Sequence, residues 1–493
     1  MRALTPEDRD LFRLVSRAAF ANPFGEERDG VDRALAGRGA RDDDILDRVV
    51  RRVRGRLDAL GTDDGPVRFD AFRSDDAPLV QHAIVFEVFH RFFGAMDAHI
   101  TAQRQAGKTV VRAAFGPPML AALVTHGFDP ARARRLVGVF FQMARAYFFV
   151  ARSLVGSSPC MRRLRESLWN GAVTRDVGRY EAHLVGRMDD FSTVLLGETG
   201  TGKGAAAQAL GRSGFIPYDE RKERFTHAFT ATFIALNLSE FSESLVESEL
   251  FGHAKGAFTG ALVDHDGALA RSVPHGAVFL DEIGEVSIPV QIKLLRVLQE
   301  RTFHPVGSRE ERAFAGRVIA ATHRDVDRLR AEGRLRDDFY YRLSSDVVVV
   351  PSLRERVAED PAELGLLVRH LVARIVGDAA PEVEAEVLGA IRRDLGPAHP
   401  WPGNVRELEQ CVRRVLLTGG CRATSRTAPP GPAASWLDAV ARGELEAERL
   451  VSLYCHELHR RHRTYEKVAA ITGLDRRTVK RHVLAAASAA ARE

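Results

Sequence analysis

The residues with the clearest chemical meaning lie at positions 197 to 204, where the sequence reads GETGTGKG. This segment follows the apolar run TVLL and has the spacing GxxxxGK, which between a strand and a helix is typical of a phosphate-binding loop. Its glycines let backbone N–H groups surround phosphates, and the helix start adds the positive end of a dipole. The predicted nucleotide-binding residues of the loop are Gly197, Glu198, Thr199, Gly200, Thr201, Gly202, Lys203 and Gly204.

Four side chains predict how phosphate and metal are held. Lys203 is expected to reach the β- and γ-phosphates, whereas Gly204 stands where most such loops have a Ser or Thr hydroxyl for Mg²⁺. Further along, the apolar run AVFL ends in Asp281 and Glu282. Asp281 is expected to hold Mg²⁺ through water, and Glu282 to polarise the attacking water. The predicted chemistry is therefore hydrolysis of ATP with Mg²⁺.

Three arginines are candidates for stabilising the transition state. Arg336 and Arg342 lie in GRLRDDFYYRL, and Arg406 lies in WPGNVR. An arginine supplied to the γ-phosphate of a neighbouring subunit stabilises the charge of phosphoryl transfer. Taken alone, each of the three would more simply be an ion-paired surface residue.

The elements that must position these groups follow from the sequence pattern. Aromatic residues recur at helical spacing before position 151, which predicts a mostly helical first part. Short apolar runs then alternate with glycine turns and helices, which predicts a parallel α/β sheet, and a helical pattern returns after Pro351. The predicted organisation is a helical regulatory domain at 1–151, an α/β ATPase subdomain at 152–349, a helical lid at 350–421, a Pro-rich linker at 422–436 and a DNA-binding domain at 437–493.

Composition excludes several classes of protein. The chain has 493 residues, of which 45% are hydrophobic and 28% charged, which is ordinary for a globular protein with several cores. No apolar run reaches the roughly 18 to 20 residues of a membrane span, and the charged N-terminal segment does not resemble a signal peptide. The four cysteines lack CxxC spacing, which argues against a zinc site or a disulfide framework. These features predict a cytoplasmic protein without a membrane partner.

The nucleotide motifs enclose a segment that carries a family resemblance. Residues 247–261 read ESELFGHAKGAFTGA, and the intact GAFTGA resembles the loop of the sigma-54-dependent transcription activators, the NtrC-like enhancer-binding proteins of the AAA+ class. In that family this loop engages sigma-54. The implied contact residues are Gly256, Ala257, Phe258, Thr259, Gly260 and Ala261. The glycines permit a tight loop tip, and Phe258 and Thr259 offer an apolar and a hydrogen-bonding contact.

The resemblance covers roughly residues 153–420 and implies further roles. Asn237 matches an asparagine that contacts the carboxylate after the second nucleotide strand, and Val155 would lie near the adenine. Arg336 and Arg342 match arginines that act in trans, and Arg406 matches a nucleotide-sensing arginine of the lid. Such proteins form rings, usually hexamers, and can be dimeric when inactive. Their ATP hydrolysis moves the GAFTGA loop and remodels the closed complex of sigma-54 RNA polymerase.

The sequence departs from the family pattern at three places. Gly204 replaces the usual glutamate, which we expect to affect the helix start more than catalysis. His323 stands where the family usually has a nucleotide-sensing asparagine, so its protonation could make turnover depend on pH. Residues 171–192 lengthen the connection to the first strand, and their pattern assigns them no role.

The end of the chain predicts a DNA reader. Thr464–Ile471 and Asp475–Ala486 are expected to be the two helices of a helix-turn-helix, with Asp475 as N-cap. Residues 460–481 contain eight Lys or Arg and two acidic residues, so their net charge exceeds the +5 of the whole chain. The side chains expected to meet enhancer DNA are Arg476, Arg477, Thr478, Lys480 and Arg481, with His482 beside them. This tail resembles the Fis-type domain of the same family; the alternative is a solvated basic hairpin.

The first 151 residues carry no motif that names a function. Asp42–Asp44 follow no strand, so we expect a helix cap and no phosphoacceptor receiver domain. The histidines that could ligate a metal or haem, although core or surface positions are favoured, are His82, His90, His99 and His126. The phenylalanine clusters favour core packing over a ligand pocket. A sensor for an unknown signal or partner is expected from domain order alone.

Two other functions remain open. The first is an AAA+ motor that unfolds proteins or inserts metals, against which GAFTGA and the basic tail argue. The second is a DNA-binding regulator that uses nucleotide only to assemble, which the residues Gly204 and His323 keep open.

Overall fold

The computed structural model describes residues 1–37, 44–63, 65–421 and 446–490. These fall into two compact units, which divide after Cys421. The predicted linker, the first residues of the predicted DNA-binding domain, and two of the three aspartates at 42–44 lie outside the described residues. Within the described ranges, no helix is both long and apolar enough to cross a membrane.

The first part of the chain is helical, as predicted. Asp44 stands at the N-cap of the third helix, but its side chain makes no capping hydrogen bond. The phenylalanines of the two long helices are largely buried, because both helices are covered by neighbours. The helices are α1 (Pro6–Phe20), α2 (Glu26–Ala36), α3 (Ile45–Ala59), α4 (Ala77–Ala106), α5 (Gly116–Thr125), α6 (Pro130–Ser153), α7 (Pro159–Val173) and α8 (Val177–Arg179), which runs into a π-helical turn at Tyr180–Leu184.

A parallel five-stranded sheet follows, with the order β4-β5-β8-β1-β9. Its three inner strands are continuous apolar runs that are buried on both faces. Parallel pairing brings the carboxyl ends of all five strands to one edge, where Asn237 pairs in register with Asp281. The strands of this sheet are β1 (Thr193–Leu196), β4 (Phe233–Asn237), β5 (Ala277–Asp281), β8 (Arg317–Thr322) and β9 (Asp346–Val349), and two small ribbons pair β2 (Tyr218–Asp219) with β3 (Arg224–Phe225) and β6 (Thr302–Phe303) with β7 (Arg312–Ala313).

Helices cover both faces of the sheet, so the predicted α/β class is confirmed. On one face, Phe279 and Ile319 of the strands share a core with Phe141 and Trp169 of the amino-terminal helices. A second core around Leu280 covers the other face. The helices between the strands are α9 (Lys203–Gly211), α10 (Glu243–Phe251), α11 (Ala268–Arg271), α12 (Ile288–Glu300), α13 (Val326–Ala331) and α14 (Asp337–Leu343).

Four helices form the lid after the last strand. They are α15 (Leu353–Glu359), α16 (Ala362–Val376), α17 (Pro381–Asp394) and α18 (Asn404–Thr418). Their core gathers Leu371, Trp401 and Val412. A single disulfide joins Cys411 to Cys421, a bond that the sequence-based argument against a disulfide framework did not predict.

The second unit contains three helices among its described residues. They are α19 (Ala447–His462), α20 (Tyr465–Thr472) and α21 (Arg476–Ala490). Gly473 ends α20 with φ +69°, a backbone conformation that glycine adopts at little cost. Cys455, Val468 and Val479 are fully buried between the helices. The two predicted helices and the turn between them are therefore present.

Candidate functional site

The predicted phosphate-binding loop lies at the carboxyl edge of the sheet. It leaves β1 and ends at Lys203, the first residue of α9. Gly200 and Gly202 have φ of +82° and +104°, in the left-handed region that glycine enters freely. The Lys203 Nζ donates to the carbonyls of Gly197 (2.8 Å) and Glu198 (3.0 Å). Burial lowers the pKa of this ammonium, while the nearby carboxylates Glu282 and Asp281 act in the opposite direction.

The lid fastens this loop through Asn404. Its Nδ2 donates to the Thr199 carbonyl and to the Glu198 carboxylate, both at 3.1 Å, and its Oδ1 accepts from the Leu353 N–H at 2.8 Å. Asn404 is fully buried and has φ +53°, which asparagine tolerates better than most residues. Arg354 completes the clamp, because its hydrogen bond lowers the pKa of Glu198.

Sequence reasoning missed both clamp residues. Asn404 stands in WPGNVR and Arg354 in PSLRER. The two motifs matched the family pattern, but only Arg406 was singled out. The role of a buried asparagine depends on hydrogen-bond partners that are distant in the chain. The sequence does not reveal these partners.

The acidic pair lies next to the loop. Asp281 ends β5, and burial, followed by the charge of Glu282, raises the pKa of its carboxyl. Glu282 adopts φ +58°, and its Oε2 lies 2.7 Å from Nδ1 of His323. His323 follows β8, the strand beside β5. The fold thus brings His323 onto the carboxylate that we expect to act on water.

Asn237 lies at the same edge but has other partners. Its Nδ2 donates to Glu240 at 2.9 Å, and its Oδ1 accepts from the Ser239 hydroxyl at 2.9 Å. The hydrogen bonds of the described residues include none between Asn237 and Glu282, and the side chain on Glu282 is His323 instead. The contact implied by the family resemblance is therefore not made in this structure.

A cavity of about 570 Å³ joins the loop, the acidic pair and the lid. This volume lies within the range of ligand pockets in proteins. Gly197, Glu198 and His323 lie outside its lining, and His323 lines a neighbouring cavity with Glu282. The predicted residues that line the cavity are Val155, Thr199, Gly200, Thr201, Gly202, Lys203, Gly204, Asn237, Asp281, Glu282 and Arg406.

The far wall of this cavity is held by a buried carboxylate. Glu363 of α16 accepts hydrogen bonds from the N–H groups of Ser157 (2.6 Å) and Ser158 (3.1 Å). It also pairs with Arg356 at 2.6 Å, and neither side chain is more than 4% exposed. Arg356 in turn donates to the Val155 carbonyl. The segment beside the predicted adenine position is thereby tied to the lid.

Arg336 and Arg342 lie away from the cavity of their own chain. Arg336 pairs with Asp338 at 2.7 Å at the start of α14. The Nε of Arg342 donates to the Leu298 carbonyl at 3.1 Å. Neither arginine lines the cavity, so the structure does not bring them to the nucleotide site of the same chain.

The GAFTGA segment forms an exposed loop. The Gly256 N–H donates to the Ala261 carbonyl at 2.8 Å and closes it, and Gly256 and Gly260 have positive φ of +81° and +103°. Phe258 is 40% exposed, whereas Ala261 is buried. The accessible part of the predicted contact is therefore 256–260. Sequence reasoning missed Leu262 and Val263, two apolar residues just beyond the loop that are 78% and 69% exposed.

In the second unit, Asp475 caps α21 as predicted. Its Oδ1 accepts from the N–H groups of Arg477 (2.9 Å) and Thr478 (3.0 Å). His482 is buried, with Nδ1 2.9 Å from the hydroxyl of Ser452. The prediction that His482 faces DNA is therefore wrong, because this residue packs between helices. The candidates that remain exposed are Arg476, Arg477, Lys480 and Arg481. Of these, Arg476 forms an ion pair with Glu466.

The histidines of the amino-terminal part contact protein groups in this structure. Across the described ranges, no group of three or more His, Cys, Asp or Glu is placed to bind a metal ion. His126 lies with Nδ1 2.7 Å from the Val67 carbonyl. His99 packs against Phe115 and Phe141.

Comparison with known proteins finds relatives of the central region. Residues 179–349 match the family model described as "Sigma-54 interaction domain". The transcriptional regulatory protein GlrR of Escherichia coli is 39% identical over 264 residues, which cover 53% of this chain and 52% of that protein. The Nif-specific regulatory protein of Azotobacter vinelandii is 40% identical over 265 residues, which cover 54% and 44%. NtrC of Azospirillum brasilense is 37% identical over 264 residues, which cover 53% and 47%.

The chain spans about half the length of the curated relatives it matches. Among solved structures, NtrX from Brucella abortus superposes with a TM-score of 0.40 at 22% identity, over 75% of this chain and 80% of that one. The same protein has also been solved in complex with ATP, with a TM-score of 0.40 at 23% identity. The resemblance that the motifs predicted is confirmed for the central region of the chain.

Proposed function

Because residues 179–349 match the model of the sigma-54 interaction domain, we propose that this protein is an ATP-driven activator of transcription by sigma-54 RNA polymerase. The observation that carries the proposal is the cavity of about 570 Å³, around which Lys203, Asp281, Glu282 and Arg406 converge. An exposed GAFTGA loop on the same unit supplies a surface for the polymerase.

The cavity suits ATP and Mg²⁺. Lys203 would exchange its two carbonyl partners for the β- and γ-phosphate oxygens. Asp281 is the carboxylate placed to hold Mg²⁺, and phosphate oxygens and water would supply its other ligands, as is usual for this ion. The bound Mg²⁺ would neutralise charge on the phosphates. Val155 would contact the adenine and Arg406 the phosphates from the lid side.

Glu282 would act as the base that orients the attacking water. Its hydrogen bond to His323 fixes one carboxylate oxygen and leaves the other for water. His323 is thus a positioning residue for Glu282. Asn237, which lines the same cavity, would enter this network only by giving up its bond to Glu240.

Two features support assembly into a ring. Arg336 and Arg342 do not line the nucleotide cavity of their own chain, and Arg342 is exposed. A subunit that donated them to its neighbour would complete the site across an interface, as arginines do in trans. We propose a ring, usually a hexamer in this family, in which hydrolysis moves the GAFTGA loop against sigma-54.

The second unit would bind enhancer DNA. The exposed face of α21 carries Arg477, Lys480 and Arg481, which suit phosphates and base edges of the major groove. An Arg481→Ala variant should bind DNA more weakly and lower the salt dependence of binding, because one phosphate contact is lost. His482→Ala is the contrasting variant, because it should lower stability through the lost bond to Ser452. Equal DNA affinity of Arg481→Ala and wild type would contradict the assignment of this face.

Two substitutions separate hydrolysis from activation. Glu282→Ala should bind ATP and fail to hydrolyse it, whereas Thr259→Ala should hydrolyse ATP and fail to form open complexes with sigma-54 polymerase. The measurements are phosphate release and open-complex formation on a sigma-54 promoter. A wild type that binds but never hydrolyses ATP would favour the regulator that uses nucleotide only to assemble. Full activation by Thr259→Ala would overturn the role of the loop.

A further inference from the structure

A second large cavity, of about 510 Å³, lies among the amino-terminal helices. Its walls come from α1, α4 and α6 and from residues 176–182, which belong to the segment without an assigned role. Four aromatic rings line it, those of Phe20, Phe86, Phe89 and Phe140. We propose that this amino-terminal cavity binds a neutral, largely apolar small molecule that carries a hydrogen-bond donor such as a hydroxyl group.

The size and lining of the cavity support a ligand. Pockets for small molecules usually measure about 300 to 1,000 Å³ and combine apolar walls with a few polar groups. Phe20 and Phe89 keep part of their surface accessible although they pack against the core. Rings that only filled a core would be covered completely, as Phe86 and Phe140 nearly are. Phe86, Phe89 and Phe140 pack in or against the core, as the sequence pattern favoured, and they also line the cavity.

Two histidines supply the polar groups of the wall. Nδ1 of His90 lies 2.7 Å from the Phe86 carbonyl, which can only accept, so this nitrogen carries the proton and Nε2 is an acceptor in the neutral ring. Nδ1 of His82 is bonded to the hydroxyl of Ser16 at 2.8 Å. In the part of the chain that the structure describes, neither Nε2 has a hydrogen-bond partner. A ligand hydroxyl would supply one.

Both rings stay neutral at neutral pH. Burial, followed by the charge of Arg28, lowers the pKa of His90 to about 3. Burial, followed by the charge of Arg132, lowers the pKa of His82. His90 nevertheless keeps part of its surface accessible, which is what a ring facing an internal cavity would show. The neutral ring of His90 therefore presents an acceptor, not a cation, to the ligand.

The two half-buried arginines of the wall, Arg28 of α2 and Arg132 of α6, already have carboxylate partners, whereas the third, Arg179, is exposed. Arg28 pairs with Asp32 at 2.7 Å, and Arg132 pairs with Glu181 at 2.9 Å. An anionic ligand would have to displace one of these carboxylates or remain an unpaired buried charge, and both are costly. A neutral ligand fits this balanced wall.

A smaller cavity of about 200 Å³ adjoins the first and shares Phe89 and His90 with it. Asp32 and Trp169 line this smaller cavity. Among the described residues, the Asp32 Oδ1 and the Trp169 Nε1 are buried without a hydrogen-bond partner. A ligand that extended past His90 would approach an acceptor and a donor there.

Residues 176–182 connect the cavity wall to the phosphate-binding helix. Tyr180 is fully buried, and its hydroxyl donates to Gln142 at 2.7 Å. The Nε2 of Gln142 donates to the carbonyl of Ser213 at 3.0 Å, two residues after α9 ends. A ligand that packs on this wall would act on the far end of the helix that begins with Lys203. We therefore expect occupancy to change the ATPase rate, and this expectation alone rests on the proposed function.

Direct binding tests the cavity independently of hydrolysis. The probes are 1-octanol, its isomer 1-methoxyheptane, which lacks the donor, and octanoate, which carries a charge, each titrated calorimetrically into the full chain at pH 7.5. Octanol should bind about fivefold more tightly than the ether because one hydrogen bond is lost. Octanoate should bind at least tenfold more weakly than octanol. Equal binding of the two isomers, or tighter binding of octanoate, would overturn the proposed ligand class.

Two variants locate the binding. His90→Phe removes the acceptor and should reduce the difference between octanol and the ether to less than twofold. Val139→Trp fills the space beside the rings and should abolish binding of both isomers. Binding of a fluorescent ADP analogue serves as the control for folding, because neither residue lines the nucleotide cavity. An unchanged preference for octanol in His90→Phe would refute the site, and so would unchanged binding in a folded Val139→Trp.

Discussion

Asn404 holds the lid to the phosphate-binding loop, and its removal should weaken nucleotide binding. Its side chain bonds to Glu198 and Thr199 of the loop and to Leu353 at the start of α15. Asn404→Ala deletes all three hydrogen bonds and keeps the backbone at φ +53°. The loop and the lid would then be joined mainly by Arg354 and by the Val405 N–H bond to the Gly200 carbonyl.

The expected magnitude for Asn404→Ala follows from the groups left behind. The Leu353 N–H is buried, and an unpaired buried donor costs about 1–3 kcal/mol. Alanine in the left-handed region adds about 1 kcal/mol. The lid–loop contact should therefore lose roughly 2–4 kcal/mol. If about 1.4 kcal/mol of this appears in binding, the Kd for nucleotide rises about tenfold.

The assay is titration of a fluorescent ADP analogue, with hydrogen exchange at 197–203 as a second measurement. Asn404→Gly is the matched control, because it removes the same bonds without the backbone strain. We expect the glycine variant to recover about twofold of the lost affinity, because it relieves about 1 kcal/mol of backbone strain and about half of that would appear in binding, as for the whole loss. A wild-type Kd for Asn404→Ala, with unchanged exchange in the loop, would refute the proposed clamp.

Three further outcomes are expected. Gly200→Ala should abolish nucleotide binding, because Gly200 has φ +82° and an added Cβ would collide with a carbonyl of the lid. Gly204→Ala should bind nucleotide normally and stabilise α9 by about 0.5 kcal/mol, because its Cβ would meet no atom within 4 Å. Equal Kd values for the two variants would contradict this expectation. His323→Ala should lower the ATPase rate and leave ADP binding unchanged, because Glu282 loses the side chain that positions it; an unchanged ATPase rate would contradict this role. Hydrogen bonds from Arg460 and Arg461 lower the pKa of Glu457 from 4.5 to about 2. The helix α19 should therefore lose protection from hydrogen exchange, corrected for its intrinsic pH dependence, as the pH falls from about 4.5 towards 2. Constant protection over this range would refute the ion pairs.

Local patterns predicted much of the fold. The strands β1 and β5 are apolar runs followed by glycine or ending in acidic residues, and the loop between β1 and α9 has the spacing typical of phosphate binding. These signals are contiguous in sequence, so a single chain displays them. The exposed GAFTGA loop is also a signal that is contiguous in sequence, because its own glycines allow the turn.

Partners that are distant in sequence could not be predicted. Asn404 and Glu198 are 206 positions apart, and Ser157 and Glu363 are likewise 206 apart. No spacing rule connects such residues, since their contact depends on how the lid folds back. The error at His482 was avoidable, because it lies three residues after buried Val479 on the same helical face.

The core that the amino-terminal helices share with the sheet has a consequence for genetics. Phe141 and Trp169 belong to the same core as the strand residues Phe279 and Ile319, so they form part of the ATPase interior. Deletion of residues 1–151, the usual way to ask whether a sensor represses or activates, would strip apolar cover from Phe279 and Ile319. If the truncated protein failed to activate transcription, the cause would be an insoluble ATPase domain and not the loss of regulation. Point substitutions in the amino-terminal cavity are the means to assign the sign of control.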